Sequence, residues 1–327
     1  MIKNKLIFLA DVYLDKEYTS NIKPNSYIFN LEFPISSKGT PCKNKINLIQ
    51  KKSYIKETFG SYPAAVCLAN NHIMDYGEEA FLDTIRFLDA NNIKYFGAGK
   101  KENNFNNPLI LEIEGKKISI SAYSCESTSA VFGDEVDNGS AKIDLNKIAK
   151  DLNSCSVDFK VIQLHWGMED VPFPRYEDVK IAHQIIDAGA DLIIGHHAHI
   201  IQSVEVYKGK KIFYGIGNCI FPDFEINSYF NGESFTRKSS KKQRIFNKQS
   251  ILVELKSDLS IKTDQLYFDH GILARKKFRV PSFIPKSKRD FHMRYIKNKK
   301  YMMIRKFFES PKFPKIKQIK RFISEDI

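Results

Sequence analysis

Residues 191–221 read DLIIGHHAHIIQSVEVYKGKKIFYGIGNCIF, and few folds accommodate that run. Leu192, Ile193 and Ile194 form an apolar triplet with the composition of a buried strand. Gly195 ends the triplet, and His196, His197 and His199 follow within four residues. Residues 201–207 then alternate, Lys208-Gly209 marks a turn, and residues 212–216 form a second apolar run. Three imidazoles therefore leave the carboxyl end of a buried strand, the edge at which open α/β sheets hold ligands. His197 and His199, at alternate positions, can turn into one cavity as ligands for Zn, Mn or Fe. Histidines that only cap loop carbonyls are the plainer reading, and a lone histidine would favour it; three in four residues favour a metal.

The arrangement recurs upstream. Strand-like runs at 5–10, 27–29, 64–68 and 161–164 lead into Asp11, Glu32, Asn71-His72 and His165 respectively. Helical periodicity covers 78–90, with Phe81, Ile85 and Leu88 on one face, and helices are also expected at 143–152 and 176–188. Residues 109–113 and 117–122 pair as a hairpin, 251–255 and 261–268 close the fold, and the polar stretch 227–247 reads as a mobile loop. The fold class is α/β, with a mixed sheet or a pair of packed sheets.

At 327 residues and 43% apolar composition the chain can bury a sizeable core. No apolar run approaches the roughly 18 residues of a membrane-spanning helix. The opening MIKNKLIFLADVYLD is interrupted by Asp11 and followed by no small-residue cleavage site, so it reads as a first strand and the expected location is cytoplasmic. Cys42, Cys67, Cys125, Cys155 and Cys219 are scattered and odd in number, which reads as free thiols. The net charge of +13 is local. Residues 270–327 carry 18 Lys and Arg against 4 Asp and Glu, whereas residues 1–269 carry 33 against 34. The expected division is thus a nearly neutral domain, 1–269, and a basic segment, 270–327, that has a partner of its own.

Any single polar residue at a strand end has an ordinary explanation in turn chemistry. Five such ends on one edge would instead build a cavity with a bridging carboxylate, several imidazoles and an amide oxygen. That donor set suits two divalent first-row ions about 3.5–4 Å apart.

Five blocks carry a resemblance: NLEFP (30–34), LANNHIMDYG (68–77), LHWGMED (164–170), DAGADLIIGHHAHIIQ (187–202) and IFYGIGNCIF (212–221). In this order, between about residues 6 and 221, the chain resembles the poly-γ-glutamate capsule-synthesis family of the CapA type, within the calcineurin-like metallophosphoesterase superfamily. The resemblance implies a four-layer αββα sandwich with a dinuclear site at one end. It implies a metal-dependent hydrolase of a phosphate ester or related bond in capsule or surface-polymer biosynthesis, acting on a small-molecule or polymer substrate. By the resemblance Asp11 and His199 are ligands of a first metal, Glu32 is the bridging carboxylate, and Asn71, His165 and His197 are ligands of a second. His72 is the general acid beside the substrate. The chain departs from the superfamily pattern at Tyr13, where a histidine is usual, at Ala10 in place of glycine, and at Glu32 in place of aspartate; the first metal then has one nitrogen ligand fewer.

The chemistry is coherent. Two divalent ions bring the pKa of water held between them toward about 7 and offset charge developing on a phosphate. His72 would protonate the leaving oxygen, a role that needs a pKa near the working pH. Asp75 is equally a partner that fixes the His72 tautomer or an N-cap for the 78–90 helix. Trp166 and Glu169 are candidate substrate walls, with Trp166 at least as well suited to an ordinary core. Asn218 is either an amide supporting the site or a turn residue. A γ-glutamyl amide is a further possible scissile bond.

The basic segment suggests a partner. Residues 291–310 read as a basic amphipathic helix, suited to an anionic membrane surface or a membrane synthase, with packing on the core as the alternative. A placement at the inner face of the membrane follows from the first reading. Nucleic acid ranks lower, because no recognition motif accompanies the charge. A non-catalytic assembly or binding factor for a membrane-bound polymer synthase is the rival to the hydrolase, and Tyr13 favours it.

Overall fold

Apolar residues on the central strands face two different cores. In the computed structural model, which describes residues 2–103, 105–133 and 137–309, Val161, Leu192 and Ile194 join one core with Leu6, Phe8 and Val253. Their sequence neighbours Ile162 and Ile193 join another with Ile148, Leu152, Val179 and Ile185. Side chains alternate across a strand, so a strand with apolar residues on both faces is covered on both.

Two sheets share the first core. The larger runs Thr19–Ser20, Ile272–Arg275, Ile261–Asp269, Gln249–Lys256, Lys5–Val12, Tyr27–Leu31, Ala65–Cys67, Lys94–Phe96, with Asn218–Ile220 also paired to Lys5–Val12. The smaller runs Val204–Tyr207, Lys210–Phe213, Leu192–His196, Phe159–His165, Lys116–Ser124, Leu109–Ile113. Helices Leu145–Ser154 and Tyr176–Asp187 form the second core against the smaller sheet. On the larger sheet, Phe59 of the short helix Ile55–Phe59 packs on Tyr27 and Phe29, which point away from Ile28 and Asn30. Gly77–Ala90 supplies Phe81 and Leu88 to the first core. The result is the four-layer αββα sandwich that the resemblance implied.

The central strands of each sheet run parallel, Lys5–Val12 with Tyr27–Leu31 and Ala65–Cys67, and Phe159–His165 with Leu192–His196. Within each sheet their carboxyl ends therefore lie at one edge, and the bonds from His196 and His197 to Asp11 join the two edges. One irregularity matters there. Phe8 pairs with Ile28 but Asp11 pairs with Asn30, so the first strand spends three residues where its partner spends two. The extra residue is a β-bulge, and it turns Asp11 onto the face of Ile28 and Asn30, which faces the smaller sheet.

Several expectations are corrected. Residues 227–247 are not a loop: Phe224–Phe230 and Phe235–Lys241 pair as an antiparallel hairpin. The alternation of that segment is that of a two-stranded ribbon with one packed and one exposed side: Phe224 and Ile226 pack on the first core, while Glu225 and Asn227 are exposed. The boundary after Asp269 falls inside a sheet, because Ile272–Arg275 pairs with Ile261–Asp269 and with Thr19–Ser20. The chain divides instead into a unit ending at Ile284 and a unit beginning at Pro285. The second unit contains the helix Lys288–Glu309. It lacks the single apolar stripe expected of an amphipathic helix. At 100° per residue Met293 and Ile304 fall on one side, and Phe291, Tyr295 and Met302 on the opposite side. Ser310, the end of the expected helix, lies outside the described residues.

Candidate metal and catalytic site

At the shared edge the strand ends deliver their polar residues into one network. Asn30 is its hub: its amide donates to Asp11 Oδ1 (2.9 Å) and to Glu32 Oε1 (2.7 Å). Asp11 Oδ1 also accepts from His196 Nδ1 (2.7 Å), and Asp11 Oδ2 accepts the His197 backbone N–H (3.2 Å) and lies 3.6 Å from His199 Nδ1. His165 Nε2 meets Asn71 Oδ1 at 2.9 Å, and its other nitrogen lies 3.7 Å from Glu32 Oε1. His199 Nδ1 meets Asn218 Oδ1 at 2.9 Å. The His165 and His197 rings are 4.8 Å apart.

The 68–77 loop is held by Asn70 and Asp75. Asn70 donates to the Leu31 carbonyl and to Asn30 Oδ1, and its own Oδ1 accepts the backbone N–H groups of His72 and Ile73. Asp75 does not cap the following helix, whose N-terminal position is Tyr76 with no side-chain cap. Its Oδ2 instead meets His72 Nδ1 (2.6 Å) and accepts the Leu48 N–H (2.7 Å), while Oδ1 lies 2.5 Å from Lys45 Nζ. Lys45 also donates to the Asn71 carbonyl. His72 Nε2 is left toward the site, 3.3 Å from Asn71 Nδ2 and 4.0 Å from Glu32 Oε2.

Local backbone geometry is costly here. His197 and His199 both have left-handed conformations, φ 79° and 52°. Such residues cost of order 1–3 kcal/mol each and cluster at functional sites. Gly195 is required by a close approach: a Cβ there would sit 1.9 Å from the Tyr214 carbonyl oxygen and 2.6 Å from Trp166 Nε1.

The electrostatics follow from burial. Glu32 is fully buried and its carboxyl is pushed well above the usual range, by burial first and then by the charge of Asp11. Burial also works to raise Asp11, but the facing imidazoles of His196 and His199 bring it below its ordinary value. Burial holds His165 well below the usual histidine range and brings His197 down to about 3, so both are neutral and able to donate a lone pair.

A cavity of about 570 Å³ opens onto this network, bordered by Lys45, Asn71, His72, Glu169, His197 and His199. Glu169 stands at its mouth, 2.9 Å from Lys241 Nζ. Trp166 does not: it is 1% exposed, stacks on Tyr214, and donates to the Tyr214 carbonyl at 2.8 Å. The alternation of Phe159–His165 continues one residue on, sending His165 to the site and Trp166 to the opposite core. Tyr13 is also buried, between Phe33 and Phe221, and its hydroxyl accepts from Gln50. A larger groove, about 730 Å³, lies along residues 16–20 and 268–271 and borders none of the site residues, although Phe221 edges both cavities.

The residues suit a divalent cation in their chemistry: two carboxylates, neutral imidazoles and an amide oxygen. Glu32 Oε2 and His197 Nδ1 are buried without a hydrogen-bond partner. Leaving such a group unsatisfied costs about 1–3 kcal/mol, which a bound cation would recover. The grouping is not a closed cage. His165 Nε2 and Asn71 Oδ1 are bonded to each other, and among the described residues no three His, Cys, Asp or Glu side chains stand in a ligating arrangement.

Nothing in the sequence marks Lys45, Gln163 or Lys241 as site residues; Asn30 and Asn70 stand there only within the five blocks, and His196 only as one of the three clustered histidines. For Asn30 a signal existed: it lies two residues before Glu32, which the resemblance places at the site, so strand alternation turns both to one side. Lys45, on a loop, and Lys241, at the end of a hairpin strand, are surface-type residues distant in sequence, and only the fold brings them in.

Comparison with known proteins adds an independent observation. Residues 19–223 match the family model described as "Bacterial capsule synthesis protein PGA_cap". The chain is 30% identical over 222 residues to the capsule biosynthesis protein CapA of Bacillus anthracis, covering 64% of this chain and 54% of that one. It is 31% identical over 156 residues to the PGA biosynthesis protein CapA of Bacillus subtilis, covering 47% and 41%. A Mycobacterium tuberculosis relative described as "Probable polyglutamine synthesis accessory protein" is 26% identical over 183 residues, covering 50% and 46%. The matched region spans about half the length of these relatives. Among solved structures, a putative 5'-nucleotidase from Staphylococcus aureus aligns with TM-score 0.44 and 14% identity, covering 89% of this chain and 57% of that one.

Proposed function

Since this chain belongs to the bacterial capsule synthesis protein family, we propose that it is a metal-dependent hydrolase of a phosphate ester or related bond, serving assembly of a capsule or surface polymer. The observation that carries the reading is the His72–Asp75 hydrogen bond, which leaves His72 Nε2 directed at the buried carboxylate and amide of the site. Asp11, Glu32, Asn71, His165, His197 and His199 would hold two divalent ions, of Mn, Fe or Zn. Bound there, the ions supply Lewis-acid polarisation and offset the charge of a phosphoryl group.

The side chains supply the rest. Asp75 accepts from His72 Nδ1, which orients the ring, so that in the imidazolium form the transferable proton sits at Nε2. His72 Nε2 delivers that proton to the leaving oxygen. Lys45 neutralises Asp75 from the other side and ties the 42–48 segment to the 71–75 loop. Lys241, held by Glu169, gives the mouth of the cavity a cation for an anionic substrate. The 285–327 unit would meet an anionic membrane surface or a membrane-bound synthase, with the protein at the inner face of the membrane. No helix among the described residues is long and apolar enough to cross a membrane.

The test is turnover of a phosphomonoester, a phosphodiester and poly-γ-glutamate by the purified protein with added Mn²⁺ or Zn²⁺. Metal-dependent cleavage of one class, lost in His72→Asn, is expected. No cleavage of any class would move the protein to the second reading, a non-catalytic assembly factor. That reading draws on Tyr13, whose ring is packed between Phe33 and Phe221 and offers no nitrogen to a metal, and on the word "accessory" in the description of the mycobacterial relative.

A further inference from the structure

We infer that His196, which is not among the proposed metal ligands, decides which oxygen of Asp11 is available to an ion and thereby sets the selectivity of the site against large cations. This rests on the metal-dependent reading above. Asp11 Oδ1 is saturated, accepting from Asn30 Nδ2 at 2.9 Å and from His196 Nδ1 at 2.7 Å. Oδ2 has one longer bond, to the His197 N–H at 3.2 Å, and faces His199 Nδ1 at 3.6 Å. The carboxylate is thus pinned with one oxygen committed to the protein and one turned to the site.

His196 is itself pinned. It is in register with His165 across the smaller sheet, its side chain is 1% exposed, and its Nε2 lies 3.1 Å from Gln163 Oε1. Both ring nitrogens are thus engaged, Nδ1 with Asp11 Oδ1 and Nε2 with Gln163 Oε1. Gln163 holds the ring, and the ring holds the carboxylate.

A carboxylate limited to one oxygen suits Mn²⁺ or Zn²⁺. Ca²⁺ takes six to eight oxygens, a number that bidentate carboxylates help to supply. Without His196, Oδ1 keeps only the Asn30 bond and has a lone pair to offer, so Asp11 can bind through both oxygens and that discrimination relaxes. Partners that orient a ligand in this way change metal affinity by roughly 10–100-fold when removed.

The test is calorimetric titration of Mn²⁺ and Ca²⁺ into the full chain, its His196→Leu and His196→Asn variants, and Gln163→Leu. Leu keeps volume without a donor, while the Asn amide can restore a donor near the Nδ1 position. The expected result is a ratio of Mn²⁺ to Ca²⁺ affinity that falls at least tenfold in His196→Leu, recovers in His196→Asn, and falls partway in Gln163→Leu. An unchanged ratio in folded His196→Leu overturns the inference and leaves the metal reading intact. If His196→Leu does not fold, an unchanged ratio in Gln163→Leu overturns it instead. A native chain that binds neither ion overturns both.

Discussion

His72 Nδ1 and Asp75 Oδ2 are 2.6 Å apart, and the same carboxylate carries Lys45 on its other oxygen. Asp75 is fully buried, and His72, Lys45 and the Leu48 N–H offset the cost of burying its carboxyl group. The His72 ring is thereby oriented by a group that is also a structural tie.

The two roles separate by mutation. His72→Asn should keep fold and metal content while lowering turnover by about 10²–10⁴-fold, the usual contribution of an acid–base group. The loss should shrink for substrates with good leaving groups. Loss of metal alongside activity, measured by elemental analysis, would make His72 a ligand instead.

Asp75→Ala should also destabilise. It strands the Lys45 ammonium, only 18% exposed at its side chain, and leaves the Leu48 N–H unpaired. Breaking a buried pair costs about 3–5 kcal/mol when one partner remains, and the exposure of Lys45 places the expectation at the low end. An unchanged denaturant midpoint would show that the tie carries no stability.

Metal content should fall sharply in His165→Ala and in His197→Ala, since each removes an imidazole from the proposed ion sites. Full occupancy in both variants by elemental analysis would end the site assignment.

Trp166→Ala should act on stability rather than on substrate affinity. Its indole fills the core beside Tyr214, and such truncations cost about 3–5 kcal/mol. Glu169→Ala should do the reverse, leaving the melting temperature nearly unchanged and altering KM through Lys241. A stable Trp166→Ala protein with raised KM would return Trp166 to the substrate wall.

Truncation after Ile284 should yield a folded first unit that no longer sediments with anionic vesicles. Val280 packs on the first core, so a cut there would remove part of it. Each Lys or Arg near an anionic surface contributes about 1 kcal/mol, and salt screens the attraction. Equal sedimentation of the intact chain with neutral and anionic vesicles would rule out the lipid contact.

What the sequence alone determined is the set of strand-end residues. Asp11, Glu32, Asn71, His72, His165, His197 and His199 each follow an apolar run, and within each sheet parallel strands bring such ends to one edge; the packing of the two sheets then joins the two edges. The charge division was equally legible, because charge depends on composition and not on contacts. The tertiary structure decided which side of a strand each residue takes and which distant residue it meets. Strand alternation read locally cannot place the bulge that turns Asp11 inward, nor distinguish the core side of Trp166 from the site side of His165 without knowing which sheet covers which face. It decided that Asp75 serves His72 and not the helix N-terminus, and that His196, adjacent to the proposed ligands, holds Asp11. These assignments rest on hydrogen bonds between residues as far as 185 positions apart, which no local pattern records.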